Sequence, residues 1–249
     1  MTSGAVRIFL YNWPTFVLTW SGAFVVLAAL ALGALKLPTA LAWLVGAGAL
    51  GALLWSFTSL LVSYYVYDRS PLASGVWLRA LLPIGRVDSW AAIDAGLDAE
   101  VDLDDVMPGT CVARLDIFDG VVVRAPSVQR ARRLTPRAHH AVAANVRALP
   151  LVDASCDVVT AVFAAHEVRD TGAREALFAE VKRALKIGGR LLIVEHLRDV
   201  PNFLAYGPGC AHFQPRAEWL RLADVTGLRV AVEMRVTPWV MALALEKQA

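Results

Sequence analysis

Two uncharged stretches near the start of the chain constrain its fold most. Phe16 to Leu35 is about twenty residues without a charge, enough to cross a hydrocarbon core of roughly 30 Å as a helix. Ala40 to Val66 is a second such run, and only Lys36-Leu37-Pro38-Thr39 separates the two. So short a connection predicts an antiparallel hairpin with both ends on one side. Arg7 before the pair and Arg69, Arg79 and Arg86 after it, against Lys36 alone in the loop, predict cytoplasmic ends. Trp13, Trp20, Trp43, Tyr64, Tyr65 and Tyr67 lie mostly toward the span ends, as interfacial aromatics do. Gly46, Gly48 and Gly51 offer a surface for close helix contact, within the hairpin or between protomers of a homo-oligomer. A cleaved signal peptide fits poorly, because its basic region would be Arg7 alone and a second span follows. Neither span holds an ionisable residue to line a path, which disfavours a transporter.

The first 70 residues hold the excess in a hydrophobic content of 57%. A net charge of +2, with no basic stripe interleaved with aromatics, argues against a nucleic-acid partner. Cys111, Cys156 and Cys210 have no metal-like spacing and fit reduced thiols, so no disulfide is expected. Asp68 to Ser89 is broken up by Pro71, Gly75, Pro83 and Gly85. Within it, Val76 to Leu82 is apolar with one charge. It fits either a membrane interface with Trp77 inserted, slightly preferred, or packing on the following domain. The organisation expected is a transmembrane hairpin over 1–69 (spans 16–35 and 40–66), a linker over 70–86 and a globular domain over 87–249.

Leu149 to His196 reads as strand, helix, turn, strand. Asp157 to Phe163 is a short β-branched run suited to a buried parallel strand. Thr171 is the expected N-cap of a helix whose apolar residues recur at Ala173, Leu177, Val181 and Leu185. Gly188-Gly189 is expected to end it, and Arg190 to Glu195 is the next strand.

This segment resembles the second half of class I S-adenosylmethionine-dependent methyltransferases of the small-molecule group called type 11. Those enzymes carry LPF-x-D-x-S-F-D-x-V, then a helix ending in R-x-L-K-P-G-G, then a strand ending in an acid. The matching residues are Leu149-Pro150-Leu151, Asp153, Ser155-Cys156-Asp157 and Val159, then Arg183-Ala184-Leu185-Lys186-Ile187-Gly188-Gly189, then Glu195. Ile187 stands where the family has proline. The resemblance covers roughly Trp90 to the C-terminus and is specific from Leu149 on. It implies an α/β fold: a Rossmann-like class I methyltransferase sheet, mostly parallel with an antiparallel C-terminal hairpin, here behind an N-terminal two-helix transmembrane hairpin. Leu228–Val236 and Val240–Glu246 are the expected final strands, after a helix over Pro215–Thr226 capped by Gly227.

The resemblance also implies a cofactor, S-adenosylmethionine, and residues to hold it. The family has D-x-G-x-G-x-G after the first strand, and this chain has Asp94-Ala95-Gly96-Leu97-Asp98-Ala99, keeping one glycine. Asp116, about twenty residues after Gly96, ends the expected second strand, where an acid accepts from ribose hydroxyls; Asp119 is the runner-up. Asn145 stands where the family has an acid for the adenine amino group, and Val146 and Phe163 complete the expected cofactor set. Pro126 to Leu134 should be a short helix whose Arg130, Arg132 and Arg133 are solvated or face anionic headgroups.

Ligands of open parallel sheets bind beyond the carboxyl ends of the strands. That places His166-Glu167 and Glu195-His196 near the reacting methyl as candidate base or orienting groups. Tyr206 and His212 are expected on the acceptor side, in a lid over Leu197–Gln214 whose apolar residues suit a hydrophobic acceptor or pack on the hairpin. The acids after Gly96 and the three histidines match no ligand spacing, so no metal is expected. The function expected is methyl transfer from S-adenosylmethionine to a small or lipid-like acceptor at the cytoplasmic face of a membrane. The altered glycine turn and Asn145 motivate an alternative, a catalytically degenerate domain serving as membrane scaffold or ligand sensor.

Overall fold

The chain begins with two long helices, α1 (Gly4–Ala31) and α2 (Thr39–Tyr64), packed antiparallel in a computed structural model that describes residues 3–95, 102–123, 125–134 and 141–249. Both are long and apolar enough to cross a membrane, and almost none of either is buried within the protein. Trp20 Nε1 donates to Ser56 Oγ (2.7 Å), and the Trp20 ring stacks on Phe57. Side chains at Gly48 and Gly51 would meet nothing within 4 Å, so these glycines do not bring α1 and α2 together. α1 starts well before the expected span. Its first turns lie against the domain and are set off by a kink at Asn12, which Pro14 causes by removing an amide donor. Asp68 accepts from Ser3 Oγ (2.7 Å), Gly4 N (2.8 Å) and Ala5 N (3.3 Å), so the carboxylate that follows α2 caps α1.

The domain that follows contains β1 (Ser89–Asp94), α3 (Leu103–Val106), β2 (Thr110–Asp116), α4 (Pro126–Leu134), β3 (Val142–Ala143) and β4 (Cys156–Val162). It continues with α5 (Thr171–Ala184), β5 (Leu185–His196), α6 (Val200–Tyr206), α7 (Arg216–Thr226), β6 (Leu228–Thr237) and β7 (Val240–Lys247). The strands form one sheet in the order β3-β2-β1-β4-β5-β7-β6. β1 to β5 are parallel and β6 and β7 form an antiparallel hairpin, as expected, and β7 inserts between β5 and β6.

Side chains alternate strictly between the two faces. Ala91, Ile93, Val159, Ala161, Leu191, Ile193, Leu243 and Leu245 meet α5 and α7 through Leu177, Phe178, Trp219 and Leu222. The intervening Trp90, Ala92, Val158, Leu192, Val194, Ala242 and Ala244 form the second core. Its cover corrects the interfacial reading of the linker. Short 3₁₀ turns at Pro71–Ser74 and Val76–Leu81 lay Leu72, Trp77, Leu78 and Leu81 over this face. Trp77 is 8% exposed, and its indole donates to Leu72 O (3.0 Å). A buried parallel sheet needs both faces covered, and this segment covers the second.

Two further expectations are adjusted. Asp170, not Thr171, caps α5, accepting from Ala173 N (2.7 Å). α5 ends at Ala184, so Gly188-Gly189 does not terminate it. The glycines lie in a bulge of β5, where Cys156 pairs with Leu185 but Val158 pairs with Arg190. A Cβ on Gly189 would sit 2.9 Å from Lys186 O and 3.0 Å from Asp157 O, both backbone atoms that the sheet holds in place. Gly189→Ala is therefore expected to destabilise the domain by about 1–3 kcal/mol, measured as a lower denaturation midpoint in detergent with an unchanged slope.

Candidate functional site

The residues carrying the family resemblance lie mostly at the amino-terminal end of the sheet. Arg183 donates to Leu149 O, Leu151 O, Asp153 and Glu180. Asp157 accepts from Asp88 N and Ser89 N, each at 3.0 Å, and pairs with Lys186 (2.9 Å). These contacts join β1, β4 and the α5–β5 connection, and they are structural.

The carboxyl end of the sheet carries the other group. β1 and β2 bring Asp94 and Asp116 side by side in register. Asp116 is buried, and its Oδ1 accepts from Phe118 N (3.0 Å) and from the Arg132 guanidinium, which lies over the Phe118 ring. Arg132 Nε is buried without a hydrogen-bond partner. Arg130 donates to Tyr11 O at the α1 kink. Two of the three α4 arginines thus turn inward, correcting the solvated reading. Asp119 accepts from Val121 N, Val122 N and Val123 N. Burial would raise its pKa, but these amides hold it below the usual carboxylate range, as befits a loop cap. Asn145 is exposed, with its Oδ1 on Arg147 N (2.9 Å), and Val146 is buried beside it. Gly96, Leu97 and Asp98 lie outside the described residues.

Beyond β4 and β5 stand the two histidine–glutamate pairs, in opposite environments. His166 Nδ1 donates to Glu195 Oε2 (2.6 Å), its backbone N donates to Glu195 Oε1 (3.1 Å), and its Nε2 faces Glu167 Oε1 at 3.4 Å. All three residues are buried. Burial would lower the His166 pKa, but the two carboxylates raise it to about 10, so the ring is an imidazolium at neutral pH. Burial likewise opposes ionisation of Glu167, but His166 and then Arg169 keep its pKa low. Glu167 Oε2 is buried with no hydrogen-bond partner.

His196 is neutral: burial lowers its pKa to about 4, and the neighbouring His166 cation adds to the effect. The Asn202 amide nitrogen donates to Asp199 Oδ1 (2.8 Å) and Trp239 O (3.1 Å), which fixes its orientation. Asn202 Oδ1 (3.1 Å) and Trp239 O (3.0 Å) therefore both face His196 Nδ1, which must carry the proton. Nε2 then accepts from the Tyr67 hydroxyl (2.7 Å), on the π-helical turn Tyr65–Arg69 that leaves α2. Phe163, in the left-handed region at φ 51°, stacks on this imidazole, as does Phe213. Tyr206 meets it edge-on. Phe163, expected at the cofactor, packs on His196. His212 packs against Phe213, its ring 5.9 Å from that of His166.

Leu197 and Gln214 pair in a β-bridge that closes the expected lid at its base, and Arg198 N donates to Gln214 O (3.0 Å). Sequence reasoning missed Tyr67, Asn202 and the α6 helix. The signal for α6 was present in Asp199-Val200-Pro201-Asn202, where Asp199 accepts from Asn202 N (3.1 Å) as an N-cap.

Residues 110–193 match the type 11 methyltransferase domain family. The Escherichia coli K12 protein YafE is 30% identical over 127 residues, 44% of this chain, and the chain spans about half the length (54%) of that relative. A SAM-dependent methyltransferase from Aquifex aeolicus has a similar structure (TM-score 0.52, 16% identity), covering 78% of this chain and 98% of its own. One from Leishmania major does too (TM-score 0.50, 15% identity), covering 76% of this chain and 77% of its own. The fold is that of a class I methyltransferase.

Within this methyltransferase fold the His166 charge has a measurable consequence. A pKa raised from 6.5 to about 10 contributes stability that is complete below the unfolded value and is lost as pH rises through the folded one. The melting temperature in detergent should fall between about pH 7 and 10. Glu195→Gln should melt lower at pH 7 and show a flatter profile across that range.

Proposed function

We propose that the chain transfers a methyl group from S-adenosylmethionine to a small or lipid-like acceptor at the cytoplasmic face of a membrane. The observation that carries this reading is the buried Glu195–His166–Glu167 chain beyond β4 and β5, in a fold whose ligands bind at the carboxyl ends of the strands. The cofactor's ribose is assigned to the end of β2. Asp116 offers a carboxylate to ribose hydroxyls, shared with Arg132, and Arg132 Nε leaves a buried donor unused beside it. When bound, the cofactor supplies an electrophilic methyl on a sulfonium sulfur. The protein's part is alignment and charge placement.

Glu195 holds the His166 ring, and the His166 cation keeps Glu167 ionised in a buried site. Glu167 Oε2, which pairs with Arg169 Nη2 at 3.9 Å and accepts no hydrogen bond, is the atom assigned to the acceptor. A hydroxyl or amine gains positive charge as a methyl arrives, and an adjacent carboxylate stabilises that charge and takes the released proton. His166, already protonated, orients Glu167 instead of serving as the base. His196, with both nitrogens engaged, orients the hairpin turn.

The membrane placement rests on the two apolar helices and on the arginines that flank them. Calorimetric titration of S-adenosylmethionine into the detergent-solubilised chain should show micromolar binding that weakens at least tenfold in Asp116→Ala. No heat of binding from a folded sample would sink the proposal. With methyl-labelled cofactor and a membrane lipid extract as acceptor pool, Glu167→Gln should keep cofactor affinity and lose label transfer by about 10²-fold.

A further inference from the structure

The short helix α6 shows two unlike faces. Asn202 and Ala205 are buried against the domain, whereas Val200, Phe203 and Leu204 are exposed apolar residues at i, i+3 and i+4, one continuous face. This face continues the surface of the hairpin. Trp55 of α2 donates from its indole to Leu204 O (2.8 Å), and its ring meets Phe203 edge-on with centroids 5.2 Å apart. Gly207, at φ 58°, lets the chain pass directly under the same indole, where a Cβ would lie 3.3 Å from the ring.

Depth along α2 decides what this face meets. Trp55 lies about 24 Å along the helix from Thr39, within a hydrocarbon core of roughly 30 Å measured from that end. An element bonded to Trp55 is therefore at the inner edge of the hydrocarbon, not in the cytoplasm. Two residues after Leu204, Tyr206 turns inward onto His196 and Phe213. Its hydroxyl points toward Ser63 of α2 without completing a hydrogen bond of good geometry. About half a turn of helix thus separates Leu204 on the exposed apolar face from Tyr206 on the aromatic wall of the site.

We infer that α6 seats its Val200–Phe203–Leu204 face in the leaflet next to the hairpin's cytoplasmic end, so that the site takes its acceptor from that leaflet. The acceptor class is an amphiphile with a hydroxyl or amine near the headgroup level and an apolar tail. The inference rests on the membrane reading of the hairpin, and its acceptor clause rests on the methyl-transfer reading. The docking itself requires no catalysis and is tested without it.

The test is depth-dependent quenching in nanodiscs. The full chain, with Cys111, Cys156 and Cys210 changed to alanine, carries one environment-sensitive fluorophore at Leu50→Cys, Leu204→Cys or Ile187→Cys. Circular dichroism checks that each variant is folded. Leu50 is on the exposed side of α2, and Ile187, 71% exposed, is at the far end of the sheet. Phosphatidylcholine with a nitroxide high on the acyl chain should quench the label at Leu204 at least threefold more than the label at Ile187. A nitroxide deeper on the chain should favour Leu50. If Leu50 is quenched while Leu204 matches Ile187, the inference fails and the hairpin reading stands. If Leu50 also matches Ile187, both fail. If Leu204 is quenched but S-adenosylmethionine does not bind, the leaflet contact stands and the acceptor clause falls.

Discussion

A parallel sheet with no polar face must be covered on both sides, and the rest of the molecule follows from how this chain meets that demand. α5 and α7 supply one cover in the ordinary way. The other comes from residues 71–82, which begin only a few residues after α2. Because Leu72, Leu78 and Leu81 are wholly buried on the sheet, the end of α2 has little freedom. Tyr67 is delivered to the end of β5, and Asp68 reaches back to cap α1. The contact between hairpin and site is a by-product of closing a hydrophobic core.

The two histidine–glutamate pairs show how far environment overrides composition. His166 is clasped by two carboxylates and holds its proton, whereas His196 is caged by Phe163, Phe213, Tyr67 and Tyr206 and excludes one. Charge placed on one ring lowers the basicity of the other, so the pair cannot share a role. Among the described residues, Glu167 Oε2 and the Tyr206 hydroxyl are the buried oxygens of this group left without a hydrogen bond, and the chemistry is assigned to Glu167 because it is the charged one.

The strand–helix–strand core over 149–196 was legible because its apolar patterning is strong, although its cap is Asp170 and its glycine pair lies within β5. The mostly parallel sheet came from the resemblance and the final two strands from their own patterning, and both stand in the structure, whereas the strand order is known from the structure alone. The linker was misread because an apolar run with one charge has the same pattern whether it meets lipid or a sheet, and only the uncovered face of the sheet decides. The roles of Arg130 and Arg132 depend on the phase of α4 against α1 and β2, which a charge run does not encode. His166-Glu167 and Glu195-His196 read as equivalent in one dimension, since their difference lies in which partner each strand end meets. Tyr67 was read as an interfacial aromatic. Its position relative to β5 is set by the 71–82 cover, a contact distant in sequence from β5.

The motif residues that identify the fold stabilise the opposite end of the sheet from the candidate site. Arg183, Asp157 and Lys186 explain why the strands are where they are, and they would do so with any acceptor or with none. What is particular to this chain is the rigid join. A tether that only raised local concentration would work better as a flexible linker, whose reach is its purpose. Here the join is buried, and it fixes one orientation. The carboxyl ends of β4 and β5, the lid and α6 all lie on the side where the hairpin leaves the domain. Under the proposed membrane placement, a site held in that orientation would meet an acceptor at a constant height and angle, a condition that alignment for in-line displacement requires.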